Sequence, residues 1–154
     1  MTVSPRLTVV IPAFNESESI PPLLREISDV CDREGIAYEA IIVDDGSTDG
    51  TFARVEAAAA ADGRVRGVRF RRNCGKAAAL SEGFRLSRGA FVITMDADLQ
   101  DNPAEIPGIL AMLEGGADLV SGWKKKRYDP LHKTLPSKLF NAVTGKVAGL
   151  KLHD

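Results

Sequence analysis

The chain has 154 residues, 44% hydrophobic and 27% charged, the balance of one globular domain with its own core. It has no run of about 18 apolar residues. Met1 to Arg6 lacks the basic-then-apolar form of a signal peptide, and two cysteines, Cys31 and Cys74, are too few for a disulfide or metal framework and point to a reducing compartment. The net charge of −1 hides an asymmetry. From Gly122 onward there are eight Lys/Arg against two Asp/Glu (+6), leaving 12 against 19 (−7) in the first 121 residues. Such a split predicts an anionic partner for the C-terminal part, with a solvated basic tail as the plainer alternative.

Leu7–Ile11 is an apolar, β-branched run ended by Pro12 and reads as a first strand. A helix follows over Ser19–Arg33, with Ile20, Leu23, Leu24, Ile27 and Val30 on one face, Pro21 and Pro22 in the first turn, and Gly35 as the stop. Cys31 falls on the core side. Tyr38–Val43 is a second strand, followed by Asp44-Asp45-Gly46-Ser47-Thr48-Asp49, in which Asp49 or Ser47 can cap a helix over Thr51–Ala61. Val65–Phe70 is a third strand. The loop from Arg71 to Lys76 opens a third helix through Ser87.

Ala90–Met95 is a fourth strand, buried on both faces, leading into Asp96-Ala97-Asp98-Leu99-Gln100-Asp101. Pro103 begins a fourth helix with Ile106, Ile109, Leu110 and Leu113 inward, and Gly115-Gly116 ends it. Ala117–Ser121 reads as a fifth short strand, and Ser137–Ala148 as a further helix. Strands alternating with helices imply an α/β fold: a Rossmann-like, mostly parallel sheet flanked by helices, with right-handed crossovers. The polar loops after the first four strands then gather at the sheet's C-terminal edge, where such sheets bind ligands.

Those loops carry the chemistry. In extended chain Asp96 and Asp98 point the same way. With the amide of Gln100 behind them they suit a hard divalent cation, Mg²⁺ or Mn²⁺. Lys76 at a helix start favours an anion. No Gly-x-x-x-x-Gly-Lys loop or Gly-x-Gly-x-x-Gly turn is present. His132 and His153 are the only histidines, so no histidine metal site or Ser-His-Asp triad is evident. What remains is a site for a metal-bound diphosphate.

Pro12-Ala13-Phe14-Asn15-Glu16, Asp44-Asp45-Gly46-Ser47-Thr48-Asp49-Gly50-Thr51, Asn73-Cys74-Gly75-Lys76 and Asp96-Ala97-Asp98-Leu99-Gln100-Asp101 occur in an order that resembles a family 2 glycosyltransferase. The resemblance covers essentially the whole chain. It is nearest to polyprenyl-phosphate glycosyltransferases, such as dolichol-phosphate mannosyltransferases and bactoprenol glucosyltransferases. It implies a GT-A fold and an inverting, metal-dependent transfer from a UDP- or GDP-linked sugar. It places Pro12, Ala13, Asn15, Glu16, Asp45, Ser47, Lys76, Asp96 and Ala97 at the donor, Asp45 against its base or ribose. Asp98 would bind the metal directly, with Gln100 as a further ligand and Asp96 at the ribose or the metal's water shell.

On the acceptor side, Arg127 with Lys124, Lys125 and Lys126 would meet a lipid phosphate or anionic headgroups, and Asp154 would be a candidate base or acceptor residue. The expected partners are a nucleotide sugar, a polyprenyl phosphate and a membrane surface at the cytoplasmic face, with no nucleic acid. Transfer to a saccharide hydroxyl, and a nucleotide-sugar binding module without turnover, are the alternatives. One domain is expected, with residues 1–121 binding the donor and residues 122–154 beginning an acceptor part. The chain stops while the resemblance still runs, so a truncated enzyme with poor transfer is expected.

Overall fold

A computed structural model describes residues 4–122; the predicted helix over Ser137–Ala148, Arg127 and Asp154 lie outside them. Four strands, β1 (Leu7–Ala13), β2 (Tyr38–Asp44), β3 (Val65–Arg69) and β4 (Phe91–Thr94), form one parallel sheet in the order β3-β2-β1-β4. Helices α1 (Ile20–Arg33), α2 (Thr51–Ala61), α3 (Lys76–Leu86) and α4 (Ile106–Glu114) connect and follow them. The predicted α/β class is the observed one.

Residues of opposite parity on β1 and β2 face two different cores, which is why both strands are mostly apolar. Leu7, Val9 and Ile11 join Ala40, Ile42, Val55, Ile93, Ile106 and the apolar stripe of α1 in the larger core. Ile41, Val43 and Ala79 form the smaller one under α3. On that side α3 comes so close that a Cβ at Gly83 would lie 2.2 Å from Cγ1 of Val10. Burying one Ile or Leu contributes roughly 1.5–3 kcal/mol, so the larger core dominates stability.

At the opposite edge from the polar loops, Glu39 is 2% exposed and fully partnered. Its Oε1 accepts from the Thr8 hydroxyl (2.9 Å) and the Arg88 N–H (2.8 Å); its Oε2 accepts from the Arg88 and Arg66 guanidiniums (2.7 and 3.1 Å). Burial pushes this carboxyl up, but the Arg88, Thr8 and Arg66 hydrogen bonds outweigh it and hold Glu39 below its ordinary value.

Three predicted elements differ. The first strand continues through Pro12 to Ala13. Val10 accepts from the Met95 N–H and Ala13 from the Asp45 N–H, so the Pro12 nitrogen faces the β4 side, beyond the last β1–β4 pair at Val10↔Thr94. A missing donor costs nothing there. β4 is an edge strand among the described residues rather than one buried on both faces: Ile93 is buried but Val92 and Thr94 are exposed, because α3 covers β1 and β2 instead. Ala117–Ser121 forms no strand; Leu119 is 85% exposed, so alternation alone found no neighbour to pair with among the described residues.

Candidate active site

The sheet's direction of growth reverses between β1 and β4, the switch point at which open α/β sheets hold ligands. Because β1–β4 pairing stops at Val10↔Thr94, the chains diverge beyond it and leave a cleft of about 320 Å³. Pro12, Ala13, Phe14 and Glu16 line it from the end of β1 and the loop after it, Asp45 from just past β2, Asn73 and Gly75 from the β3–α3 loop, Lys76 from the start of α3, and Asp96, Ala97 and Asp98 from the segment after β4.

Much of the polar signature builds this cleft from behind. Asn15 takes a left-handed φ of 58°. Its N–H donates to the Ser47 hydroxyl (2.9 Å) while its Oδ1 accepts from the Thr48 N–H (2.9 Å). The Glu16 N–H donates to the Thr51 hydroxyl (2.8 Å) and the Ser17 N–H to Asp49 (3.1 Å). The N-cap of α2 is Gly50 rather than Asp49 or Ser47; Asp49, one residue before it, also accepts from the Thr51 hydroxyl and N–H, and the Thr51 hydroxyl foremost drives its carboxyl well below the usual range. Asn15 and Ser47, expected at the donor, are therefore spent on joining the β1 and β2 loops and do not line the cleft.

The third loop is held from Asp45, which is 4% exposed. Its two oxygens accept from the backbone N–H groups of Cys74 (2.7 Å) and Gly75 (2.9 Å). Gly46 lets the loops meet: its φ is 76° and a Cβ there would lie 2.5 Å from the Arg72 backbone. Asp45 lines the cleft with both oxygens occupied by the loop. Asp44 is fully buried; its Oδ1 accepts from the Ser47 N–H (3.0 Å) and Arg69 lies 3.4 Å from Oδ2.

The acidic stretch corrects one expectation. β4 ends at Thr94, and Ala97 and Asp98 form a turn rather than extended chain, so strand periodicity is not what brings the two carboxylates to the cleft. The turn is closed by its own side chains: the Asp96 N–H donates to Asp101 Oδ2 (2.8 Å) and the Gln100 N–H to Asp98 Oδ1 (3.1 Å). Leu99 takes a φ of 62°. Gln100 is exposed and does not line the cleft. Across the cleft, Lys76 Nζ lies 2.5 Å from Asp96 Oδ1.

Sequence reading missed Phe14, Asn73 and Gly75 as wall residues; all three sit inside the motifs named above, so proximity was the available signal. Among the described residues no three His, Cys, Asp or Glu side chains cluster as a complete metal site. Two carboxylates at the rim still fit Mg²⁺ or Mn²⁺, which take one or two carboxylates and complete their shell with phosphate and water oxygens.

The Glycosyl transferase family 2 model matches residues 8–152. The chain belongs to that family. It is 40% identical over 149 residues to the undecaprenyl-phosphate 4-deoxy-4-formamido-L-arabinose transferase of Aeromonas hydrophila, covering 96% of this chain and 46% of that relative. The chain thus spans less than half the length of such family 2 relatives. Glucosyl-3-phosphoglycerate synthase from Mycobacterium tuberculosis, solved with UDP, shares the fold with a TM-score of 0.70 at 24% identity over 94% of this chain and 51% of that one. A second structure of that synthase holds Mn²⁺, UDP-glucose and phosphoglyceric acid (TM-score 0.57, 28% identity, 71% of this chain, 39% of that one). The mannosyltransferase PcManGT from Pyrobaculum calidifontis, solved with GDP-Man and Mn²⁺, is 33% identical with a TM-score of 0.55 over 63% of this chain and 28% of that one. The parallel sheet flanked by helices is the GT-A-like architecture of these solved structures.

Proposed function

We propose that the chain carries the donor-binding part of an inverting, divalent-metal-dependent glycosyltransferase. It would move a sugar from a UDP- or GDP-linked donor to a polyprenyl phosphate at a membrane surface. The observation that carries this reading is the convergence of Lys76, Asp96 and Asp98 on one cleft at the sheet's switch point. Support comes from the Mn²⁺ and nucleotide sugars in the two solved relatives and from the acceptor named for the Aeromonas relative.

In the reaction an acceptor phosphate oxygen attacks the anomeric carbon, the bond from that carbon to the diphosphate breaks, and the nucleoside diphosphate leaves with the electron pair. A single displacement inverts the centre. The acceptor is already anionic near neutral pH and needs little help from a base. Asp98, with Asp96, would hold the Mg²⁺ or Mn²⁺ whose charge neutralises the leaving diphosphate. Lys76 and the start of α3 favour the same diphosphate, and Asp45 keeps that loop in place. Arg127 and its neighbouring lysines, with Asp154, belong to the acceptor side in this reading.

Calorimetry with UDP and with GDP, with and without MnCl₂, tests it. Asp98→Ala should lose the Mn²⁺-dependent part of binding while its circular dichroism stays unchanged. Affinities equal in both proteins, with and without metal, would sink the assignment.

A further inference from the structure

Resting on that reading, we propose that Lys76 is a resident counter-ion that competes with the metal for Asp96, so that metal and nucleoside diphosphate bind cooperatively. The ammonium lies 2.5 Å from Asp96 Oδ1, and both residues line the cleft. The backbone is held at both ends of this bridge. Gly75, at φ 93° and ψ 154°, sits in a region open only to glycine and is held by Asp45, which sets where α3 and Lys76 begin. Asp96 is held by its own N–H to Asp101.

A divalent cation arriving alone must take Asp96 from Lys76 and leave the ammonium with water. A diphosphate arriving in the same cleft gives Lys76 another anion and frees Asp96. Each ligand therefore eases the entry of the other, and the coupling is reciprocal. The two side chains are 59% and 35% exposed, so the contact is screened and the effect is about threefold to fivefold rather than orders of magnitude.

The test is Mn²⁺ affinity, read by electron paramagnetic resonance with MnCl₂ alone and then with saturating UDP or GDP. Lys76→Met should bind Mn²⁺ alone about threefold to fivefold more tightly than the unaltered chain, and the tightening of Mn²⁺ by nucleotide should shrink by a similar factor. Lys76→Arg, which keeps a cation opposite Asp96, should lie closer to the unaltered chain than Lys76→Met in its affinity for Mn²⁺ alone. Arg72→Ser, which removes an exposed charge from the same loop, should change neither value. Unchanged affinity for Mn²⁺ alone in Lys76→Met, or the same gain in affinity for Mn²⁺ alone in Arg72→Ser, overturns the proposal. If nucleotide tightens Mn²⁺ as much in Lys76→Met as in the unaltered chain, only this inference fails. If no coupling exists and Asp98→Ala binds as the unaltered chain does, the donor-site reading fails with it.

Discussion

The Asp45 carboxylate holds the backbone of Gly75: Oδ2 accepts from the Gly75 N–H at 2.9 Å, while Oδ1 takes the neighbouring N–H of Cys74 at 2.7 Å. One side chain at the end of β2 thus positions the residue that opens α3. Asp45→Ala should destabilise the fold by about 1–3 kcal/mol, the scale of hydrogen bonds to a charged group. Nucleotide affinity should fall with it, because Lys76 is no longer presented at the cleft. Urea unfolding and calorimetry measure the two. Wild-type values in both would show that the loop holds itself.

Acid should weaken the fold through Glu39. Its folded carboxyl lies below the ordinary value. Its contribution is therefore complete above the unfolded glutamate pKa, about 4.3, and is lost as pH falls through the lower folded value. Glu39→Gln should cost about 1–3 kcal/mol at pH 7, since it takes charge from two arginine contacts that are partly exposed. The gap between variant and unaltered chain in urea unfolding should narrow as pH falls through the lowered folded value. A gap that does not change with pH would show that Glu39 acts through packing alone.

The two thiols should separate kinetically. Cys31 is fully buried, and burial foremost pushes its thiol up to about 11; Cys74 is exposed on the β3–α3 loop. A disulfide reagent at pH 8 should modify one thiol per native chain quickly and the second only after unfolding. Protection of Cys74 by UDP or GDP with MnCl₂ would place the bound nucleotide beside its loop. Fast reaction of both thiols in the native chain would contradict the burial of Cys31.

The basic stretch should meet anions. Replacing Lys124, Lys125, Lys126 and Arg127 with Ser takes four charges from a segment whose net charge is +6. Co-sedimentation with vesicles containing anionic lipid should fall in the variant, and the unaltered chain's binding should weaken as salt rises. No binding by the unaltered chain to such vesicles would remove the membrane surface from the proposed function.

Alternation of apolar runs with amphipathic stretches was enough to place all four described strands and four helices within a few residues. Local signals sufficed there: Pro21-Pro22 in a first turn, Gly35 past a helix end, a 3.6-residue apolar stripe on α1. The site was legible as a set of loops, since every strand of a parallel sheet ends at the same edge. Strand periodicity misled where tertiary neighbours decide. Val92 looked buried but faces a side that α3 leaves uncovered, and Ala117–Ser121 had strand character without a described strand to pair with.

By itself the sequence determined the α/β alternation, the family to which the chain belongs, and the edge of the sheet where Asp45, Lys76, Asp96 and Asp98 had to fall. These follow from period, turn chemistry and motif order, all of which are local along the chain. The tertiary structure alone decided how the polar residues divide their labour. Asn15 and Ser47 join two loops, Asp45 shapes a third, and Lys76 meets Asp96 across the cleft although 20 residues separate them. A hydrogen-bonding side chain carries no mark of its partner. That choice belongs to whichever backbone groups the converging strand ends leave within about 3 Å of it.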